Sequence, residues 1–274
     1  MKIMIAGLGL IGGSAAKSLR RAGFAPDGWD RPDVLKQALE TDVVAAAVKD
    51  PSAYDVVLVA LPPDAAMDWM DGTAFGEGAI VADFCGVKEE IERRICSKPR
   101  NFRYVGCHPM AGREVSGLAN ATETLFDGAS MIIAHGPQTD DEAVHVLEWL
   151  YAAMGFGQIR HCTAAYHDAK IAYTSQLAHI VSNAYVKSGT ANGFPGFTGG
   201  SFQDMTRIAG VDEDIWTRLY MLNLPAVARE LEELIGHLTP YLYALRAGDE
   251  EALKALLKEG RLRKEELDRE RKIL

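Results

Sequence analysis

The sequence has few cysteines, no excess of positive charge and no long apolar run. The four cysteines of the 274-residue chain show no C-x-x-C spacing, so neither a zinc ribbon nor a disulfide framework is indicated, and no metal is expected. No apolar run approaches the roughly 18 residues of a membrane-spanning helix. The N terminus also lacks the charged and then apolar pattern of a signal peptide. We therefore predict a cytoplasmic protein with no membrane partner.

The charge balance bears on the choice of partner. The formal net charge is −9, whereas nucleic-acid binding depends on Lys and Arg that neutralise phosphates. A nucleic-acid partner is therefore not expected, and an anionic substrate would depend on a few local Arg or His residues. With 48% hydrophobic and 24% charged residues, the chain has the composition of a globular protein.

The pattern of apolar residues predicts two parts. In the first, short apolar segments (2–6, 25–30, 56–61, 77–83, 102–107, 130–134 and 156–161) alternate with helical ones (11–23, 32–40 and 140–154). This alternation predicts an α/β fold with a parallel sheet covered on both faces.

From residue 163 onward only helices are predicted, at 164–188, 212–223, 225–247 and 249–273. We therefore expect a Rossmann-type dinucleotide-binding domain at 1–162, followed by an all-helical domain at 163–274. The first of these helices is unusually long and rich in small apolar residues, which favours packing against several partners. A homodimer formed through the helical domain is expected.

A glycine-rich turn near the N terminus predicts a dinucleotide site. It has the form G-x-G-x-x-G, follows a short apolar strand and opens an amphipathic helix. The first glycine permits the tight turn, the second lets the backbone approach the pyrophosphate, and the third allows close packing of helix on strand. The N–H groups at the helix N terminus would bind the phosphates. The expected contacts are Gly7, Leu8, Gly9, Leu10, Ile11 and Gly12.

Further cofactor contacts are expected along the same edge of the sheet. Asp30 ends the second predicted strand, where a carboxylate would accept hydrogen bonds from the adenine-ribose hydroxyls. An acid there repels a 2′-phosphate and so predicts NAD, while the neighbouring Arg31 leaves NADP open. Leu61 and Pro62 follow the third predicted strand and are expected at its carboxyl end, where ligands collect.

Three later segments carry candidate catalytic and substrate-binding residues. His108 lies in a loop framed by Pro and Gly directly after a predicted strand. Gln176 and His179 are three residues apart and are predicted to share one face of the long helix. Arg207 is the single cation of a glycine-led stretch, and Trp216 follows it.

In these motifs the chain resembles the prephenate/arogenate dehydrogenase family of tyrosine biosynthesis. The resemblance covers almost the whole chain. It rests on G-L-G-L-I-G near the start, D-x-x-x-V-K at 83–88, H-P-M-A-G-R-E at 108–114, H-D at 167–168, S-Q-L-x-H at 175–179 and D-M-T-R-I-A at 204–209. It implies an NAD-dependent oxidative decarboxylation of prephenate to 4-hydroxyphenylpyruvate that needs no metal.

The resemblance also implies roles for individual residues. His108 matches the histidine that hydrogen-bonds the ring hydroxyl and assists its deprotonation as hydride leaves the same carbon, a task suited to a neutral imidazole. Arg207 matches the arginine that binds a substrate carboxylate. His179 and Gln176 match residues near the substrate side chain, and Glu114 matches one that shapes the electrostatics of the pocket. The remaining expected substrate contacts are Gly86 and Trp216.

Two positions depart from the family pattern. Gly86 stands where many members have a serine whose hydroxyl helps to hold the catalytic histidine. An orienting hydrogen bond is then expected from water, from the backbone or from another side chain. Ala178 replaces a family proline, and we expect this change to be neutral because the helix can run straighter.

Three alternatives stay open. Arogenate differs from prephenate only at its side chain, and no residue separates the two substrates. A β-hydroxyacid dehydrogenase has the same layout but calls for a K-x-x-x-N pair on the long helix, where Lys170 is followed by Thr174 and Lys187 by Ala191. A non-catalytic dinucleotide-sensing dimer is compatible with Gly86, although the presence of His108, His179 and Arg207 together argues against it.

Overall fold

A computed structural model describes residues 1–113 and 115–272 and divides the chain into two compact units, the first from Met1 to Leu224 and the second from Pro225 onward. The first unit contains one sheet. Its strands are β1 (Ile3–Ala6), β2 (Asp27–Trp29), β3 (Val56–Val59), β4 (Ile80–Asp83), β5 (Arg103–Pro109), β6 (Ser130–Ala134) and β7 (Gln158–Cys162). Its helices are α1 (Leu10–Arg21), α2 (Pro32–Glu40), α3 (Pro63–Gly72), α4 (Glu89–Ile95), α5 (Asp141–Met154), α6 (Ala164–Ile171), α7 (Ala178–Tyr185), α8 (Gly200–Thr206) and α9 (Glu213–Leu222).

The sheet has the strand order β2-β1-β3-β4-β5-β6-β7. The prediction of an α/β fold is confirmed, and β1 to β5 are parallel. The prediction of a wholly parallel sheet is wrong, because β6 runs antiparallel to β5. A parallel return needs a crossover, usually a helix, whereas the only helical segment in the described part of the β5–β6 connection is the short 3₁₀ turn Leu118–Asn120. The chain therefore re-enters the sheet in the opposite direction, and β7 then pairs parallel to β6.

Two apolar layers cover the faces of the sheet. Because successive strand residues point to opposite faces, Ile3 and Ile5 of β1 join the layer under α1 and α5, while Met4 and Ala6 join the layer under α3 and α4. All four residues of β1 are buried. Burial on both faces is the environment expected for parallel strands, and it confirms the predicted cover of helices.

The long helix predicted after residue 163 is present, but it is not regular. Between α6 and α7 the chain forms a π-helical turn over Ala172–Leu177, so the helical segment continues from Ala164 to Tyr185. π turns of this kind are rare and are found frequently at functional sites.

The second unit contains α10 (Leu224–Ala247), which begins one residue before it, and α11 (Glu250–Lys272). Both lie close to the predicted positions. In the single chain this unit leaves large apolar side chains exposed on both helices. They include Ile235, Leu238, Leu242, Tyr243, Leu245 and Leu257. Of the helices described, none combines the length and the apolar character needed to cross a bilayer.

Candidate active site

The ends of four neighbouring parallel strands place the predicted cofactor and catalytic segments side by side. Gly7 follows β1, Leu61 follows β3, Gly86 follows β4, and His108 lies at the end of β5. These segments touch in that order. A Cβ on Gly7 would lie 2.5 Å from the carbonyl oxygen of Ala60 and 3.0 Å from a Leu61 methyl, and a Cβ on Gly86 would lie 3.8 Å from Nε2 of His108. Between them, the thiol of Cys85 donates to the Leu61 carbonyl at 3.5 Å.

The glycine-rich turn has a geometry that larger residues would disturb. Gly7 adopts φ +90°, which favours glycine. A Cβ on Gly12 would lie 1.8 Å from the carbonyl oxygen of Gly7, so helix and strand approach too closely for any side chain there. At Gly9 nothing among the described residues lies within 4 Å of such a Cβ. Packing among the described residues therefore does not require a glycine here, and the space beside Gly9 is open to a ligand.

The start of α1 suits an anion. Among the described residues no side chain caps this helix at Gly9, and its first turn carries no acidic residue. The backbone N–H groups and the positive end of the helix dipole therefore face this open position. The turn fits the pyrophosphate of a dinucleotide.

Asp30 is hydrogen-bonded to the glycine-rich turn. Its carboxylate accepts hydrogen bonds from the backbone N–H of Leu8 at 2.5 Å and of Arg31 at 2.6 Å. The structure thus ties the acid at the end of β2 to the second residue of the G-x-G-x-x-G motif. The Arg31 side chain is exposed beside it.

His108 is the first member of a hydrogen-bonded chain of three side chains. Its Nδ1 lies 2.9 Å from Nε2 of His167, and Nδ1 of His167 lies 2.6 Å from Oδ1 of Asp168. His108 is half-buried, while His167 and Asp168 on α6 are 1% and 2% exposed. The orienting contact expected in place of the family serine is therefore made by another side chain, His167.

Asp168 is itself held firmly. Its carboxylate oxygens accept the backbone N–H of Lys88 at 2.8 Å and of Glu89 at 2.9 Å, at the start of α4. Its carbonyl oxygen accepts Nδ2 of Asn223 at 2.8 Å. These hydrogen bonds hold Asp168 in place at the end of the chain of three.

Lys88, whose backbone N–H binds Asp168, also forms a buried ion pair through its side chain. Lys88 binds Asp83 at the end of β4, and both side chains are almost fully buried. Asp83 also accepts the hydroxyl of Tyr104 at 2.7 Å and the backbone N–H of Cys85 at 2.9 Å. Removing one partner of such a pair costs about 3–5 kcal/mol, because the other charge stays buried.

Burial and nearby positive charge determine the protonation state of the two histidines. Burial, the neighbouring His167 and the Lys88 ammonium together hold the pKa of His108 well below its usual range. Burial also lowers the pKa of His167, against the opposing effect of Asp168. Both imidazoles are therefore neutral at neutral pH, and His108 can accept a proton.

The predicted substrate-binding residues Arg207, His179 and Trp216 are brought together around a cavity of about 690 Å³. The rings of His179 and Trp216 lie with centroids 3.8 Å apart. The segment after His108 also lines this cavity, with Gly112, Arg113, Val115 and Ser116. His108 does not line this cavity. Leu219 lies one turn of α9 beyond Trp216, and its methyl would lie 3.8 Å from a Cβ on Gly86, which places the two sites next to each other.

Helix α7 positions Arg207. The hydroxyl of Ser182 donates to the carbonyl of Met205 at 2.7 Å, and Nδ2 of Asn183 donates to the carbonyl of Ala209 at 3.1 Å. His179 lies one turn earlier on the same helix. The backbone on each side of Arg207 is therefore tied to the helix that carries His179.

A sequence profile described as the nucleotide-binding domain of prephenate dehydrogenase matches residues 15–157, and one described as its dimerization domain matches residues 163–259. Together the two profiles cover most of the chain. The chain belongs to the prephenate dehydrogenase family. Membership sets aside the β-hydroxyacid dehydrogenase alternative.

Individual relatives of this family match the chain over almost its full length. Cyclohexadienyl dehydrogenase of Zymomonas mobilis is 28% identical over 94% of this chain and 93% of its own. The structure of prephenate dehydrogenase from Aquifex aeolicus, in complex with hydroxyphenyl propionate and NAD⁺, is 26% identical, with a TM-score of 0.82 over 97% of this chain and 98% of its own. Synechocystis arogenate dehydrogenase is 26% identical, with a TM-score of 0.80 over 97% and 100%.

Two of the described residues that were expected as substrate contacts, Gln176 and Gly86, do not line the cavity. Glu114 lies outside the described residues. Gln176 is 2% exposed, accepts Nδ2 of Asn223 at 2.7 Å and donates to the carbonyl of Leu219 at 3.2 Å. Gln176 contacts α9 at Leu219, whereas His179 contacts α9 at Trp216 and lines the cavity. That the two share one face of the helix stays a prediction.

The family motifs also contain site residues whose role was not predicted. His167 and Asp168 were recognised as a motif, but the contact between His167 and His108 joins positions 59 residues apart. A polar pair at the start of a predicted helix was the only signal. Within the described residues, no cluster of His, Cys, Asp or Glu is arranged to hold a metal ion.

Proposed function

We propose that the protein catalyses the oxidative decarboxylation of prephenate to 4-hydroxyphenylpyruvate with NAD. One observation carries the proposal: a neutral, oriented His108 lies between the glycine-rich turn and the cavity that contains Arg207. A substrate that reaches from His108 to Arg207 would present its ring next to a nicotinamide and its carboxylate to a guanidinium. The Aquifex structure, with NAD⁺ and an aromatic acid, supports this arrangement.

The roles of the residues follow from their positions. When bound, the oxidised nicotinamide supplies the hydride acceptor. Nε2 of His108 accepts the proton of the ring hydroxyl as hydride leaves the same carbon, and it returns the proton to the ring oxygen when loss of carbon dioxide makes the ring aromatic. Arg207 binds the side-chain carboxylate bidentately, and His179 and Trp216 bound the pocket around it.

We also propose a boundary between two functional domains near residue 163. The two family profiles meet between residues 157 and 163, which supports a Rossmann-type domain at 1–162 and a helical domain for substrate binding and dimerisation at 163–274. The exposed apolar side chains of α10 and α11 support a homodimer formed through this region.

Arogenate is the second candidate substrate. The relatives in Zymomonas and Synechocystis, described as cyclohexadienyl and arogenate dehydrogenases, favour keeping it. It differs from prephenate by an amine in place of the side-chain ketone, so hydride and proton transfer at the ring would be unchanged.

The proposal is tested by following the absorbance of the reduced nicotinamide with purified protein. Prephenate and arogenate are each supplied with NAD and with NADP, giving four parallel assays. We expect turnover with prephenate and NAD. Turnover with arogenate alone would establish the second candidate, and silence in all four assays would favour the non-catalytic dinucleotide-sensing dimer.

Substituting alanine at two glycines is expected to separate packing from cofactor binding. Gly12→Ala would place a Cβ 1.8 Å from the Gly7 carbonyl oxygen, so the turn must shift, and we expect both the free energy of unfolding and the NAD affinity to fall. Gly9→Ala meets no protein atom within 4 Å and is expected to weaken NAD binding at nearly unchanged stability. Urea unfolding and NAD titration of the two variants measure the two quantities. An unchanged NAD affinity in Gly9→Ala would contradict the assignment of Gly9 to the cofactor.

Activity is expected to persist below the pH at which an ordinary histidine protonates. Only the neutral form of His108 accepts a proton, and burial with the neighbouring His167 and Lys88 lowers its pKa. The neutral form is therefore kept to lower pH, and the acidic limb of kcat/KM lies below the ordinary value of about 6.5. We expect kcat/KM to stay almost constant between about pH 7.5 and pH 6.5, whereas with a base of ordinary pKa it would lose about half of its value over this range. A midpoint at or above about pH 6.5 would contradict the lowered pKa.

A further inference from the structure

We infer that His167 and Asp168 act as positioning residues that set the tautomer of His108 and so take over the task of the serine replaced by Gly86. This inference rests on the proposed function, which gives His108 the role of base. It concerns two side chains that do not line the substrate cavity and that act only through His108.

The protonation pattern can be followed from Asp168 outward. Its charged carboxylate can only accept hydrogen bonds, so Nδ1 of His167, at 2.6 Å, must carry the proton of that contact. A neutral imidazole has one donor and one acceptor nitrogen. Nε2 of His167 is therefore the acceptor.

The same reasoning applies to the next contact. Nδ1 of His108 lies 2.9 Å from the accepting Nε2 of His167, so the hydrogen atom of this bond is on His108. The lone pair of His108 is then on Nε2, the nitrogen that faces Gly86. Nε2 is the atom that must accept the substrate proton, so the chain of three leaves the base in its productive tautomer.

The burial of His167 and Asp168 restricts the movement of these hydrogen-bonded side chains. His167 and Asp168 are almost fully buried, and three further hydrogen bonds, from Lys88, Glu89 and Asn223, hold the Asp168 backbone and carboxylate. Burial also lowers the pKa of His167, which keeps it neutral and preserves the acceptor at its Nε2. Among the described side chains, His167 is the only one hydrogen-bonded to His108.

Two substitutions at position 167 distinguish positioning from mere packing. His167→Leu keeps the apolar volume but removes the acceptor for Nδ1–H of His108. His167→Gln returns an amide oxygen near the place of the imidazole Nε2. A matched control is available at His161, which also pairs with a histidine, His135, at 2.7 Å but is partly exposed and outside the site.

The first measurement is steady-state kinetics with prephenate and NAD. His167→Leu is expected to lower kcat between about tenfold and 100-fold, toward the lower end of what a positioned base contributes, because His108 still visits the productive tautomer. KM should change less than about threefold, since the cavity residues are untouched. His167→Gln should recover most of the loss, and His161→Leu should match the wild type. Equal loss in the Leu and Gln variants would overturn the inference and show a structural role.

The second measurement needs no substrate. Long-range proton–nitrogen NMR of the full chain, labelled at its histidine rings, reports which nitrogen of His108 carries the proton. We expect Nδ1–H in the wild type and a shift toward Nε2–H in His167→Leu. Finding Nε2–H in the wild type would overturn the inference even if the variants are inactive. Because this readout is independent of turnover, it separates failure of the inference from failure of the proposed function.

Discussion

Replacing His108 with asparagine is expected to lower kcat by about 10²- to 10⁴-fold, the usual contribution of a positioned general base. The asparagine amide reaches about as far as Nδ1 of the imidazole, so the contact with His167, 2.9 Å away in the wild type, can survive. No atom then occupies the place of Nε2, and the ring hydroxyl has no base. The loss equals about 2.7–5.5 kcal/mol of transition-state stabilisation.

A more specific prediction is that the loss of activity in His108→Asn appears in kcat and not in KM. His108 does not line the cavity around Arg207, so KM for prephenate should change less than about threefold. The variant is to be compared with His161→Asn, which alters a histidine outside the site. If His108→Asn kept a kcat near that of the control, some other group would have to accept the proton.

The strands of the nucleotide-binding region could be predicted because a buried strand appears in the local sequence as a short apolar run. β1, β3 and β6 are short apolar runs, and the glycine-rich turn after β1 identifies both the strand and the helix that follows. The reversed direction of β6 could not be predicted in this way, since its own residues fit either direction equally well. Its direction follows from the preceding connection, whose described part has no crossover helix.

Three short helices, α3, α4 and α8, were not predicted. α3 begins with Pro63 and Asp64, a proline and an acid in the first turn, which is a recognised start signal. α4 has seven residues, too few for a periodic pattern to stand out. Its function in the site, holding the Asp168 carboxylate with its first N–H groups, depends on a contact across 80 positions.

The same limit applies to the active site. Residue types and motif order predicted which residues matter, and the structure groups His179, Arg207 and Trp216 around one cavity. The burial of Gln176 could not be predicted, because its partners Asn223 and Leu219 lie 47 and 43 positions away. Nor could the link from His167 to His108, since a hydrogen bond between two distant elements leaves no periodic trace in the sequence.

Replacing Arg207 with alanine is expected to raise KM for prephenate by about tenfold to 100-fold with little change in kcat. A charge-assisted hydrogen bond contributes about 1.5–3 kcal/mol, and each 1.4 kcal/mol corresponds to about a factor of ten in affinity. The contact binds a carboxylate remote from the reacting carbon, so it stabilises ground state and transition state alike and appears in KM. Arg207→Lys should recover only part of the loss, since an ammonium cannot bind both carboxylate oxygens in the planar, bidentate way of a guanidinium.

Arg113 is the decisive comparison, because it is a second arginine on the wall of the same cavity. The two differ in their support: the backbone around Arg207 is tied to α7 through Ser182 and Asn183, whereas Arg113 belongs to the segment that follows β5. A carboxylate anchor has to be held in place to contribute its full binding energy. We therefore expect Arg113→Ala to raise KM less than about threefold. If Arg113→Ala raised KM more than Arg207→Ala, the substrate would lie reversed in the cavity, with its carboxylate toward the loop after His108.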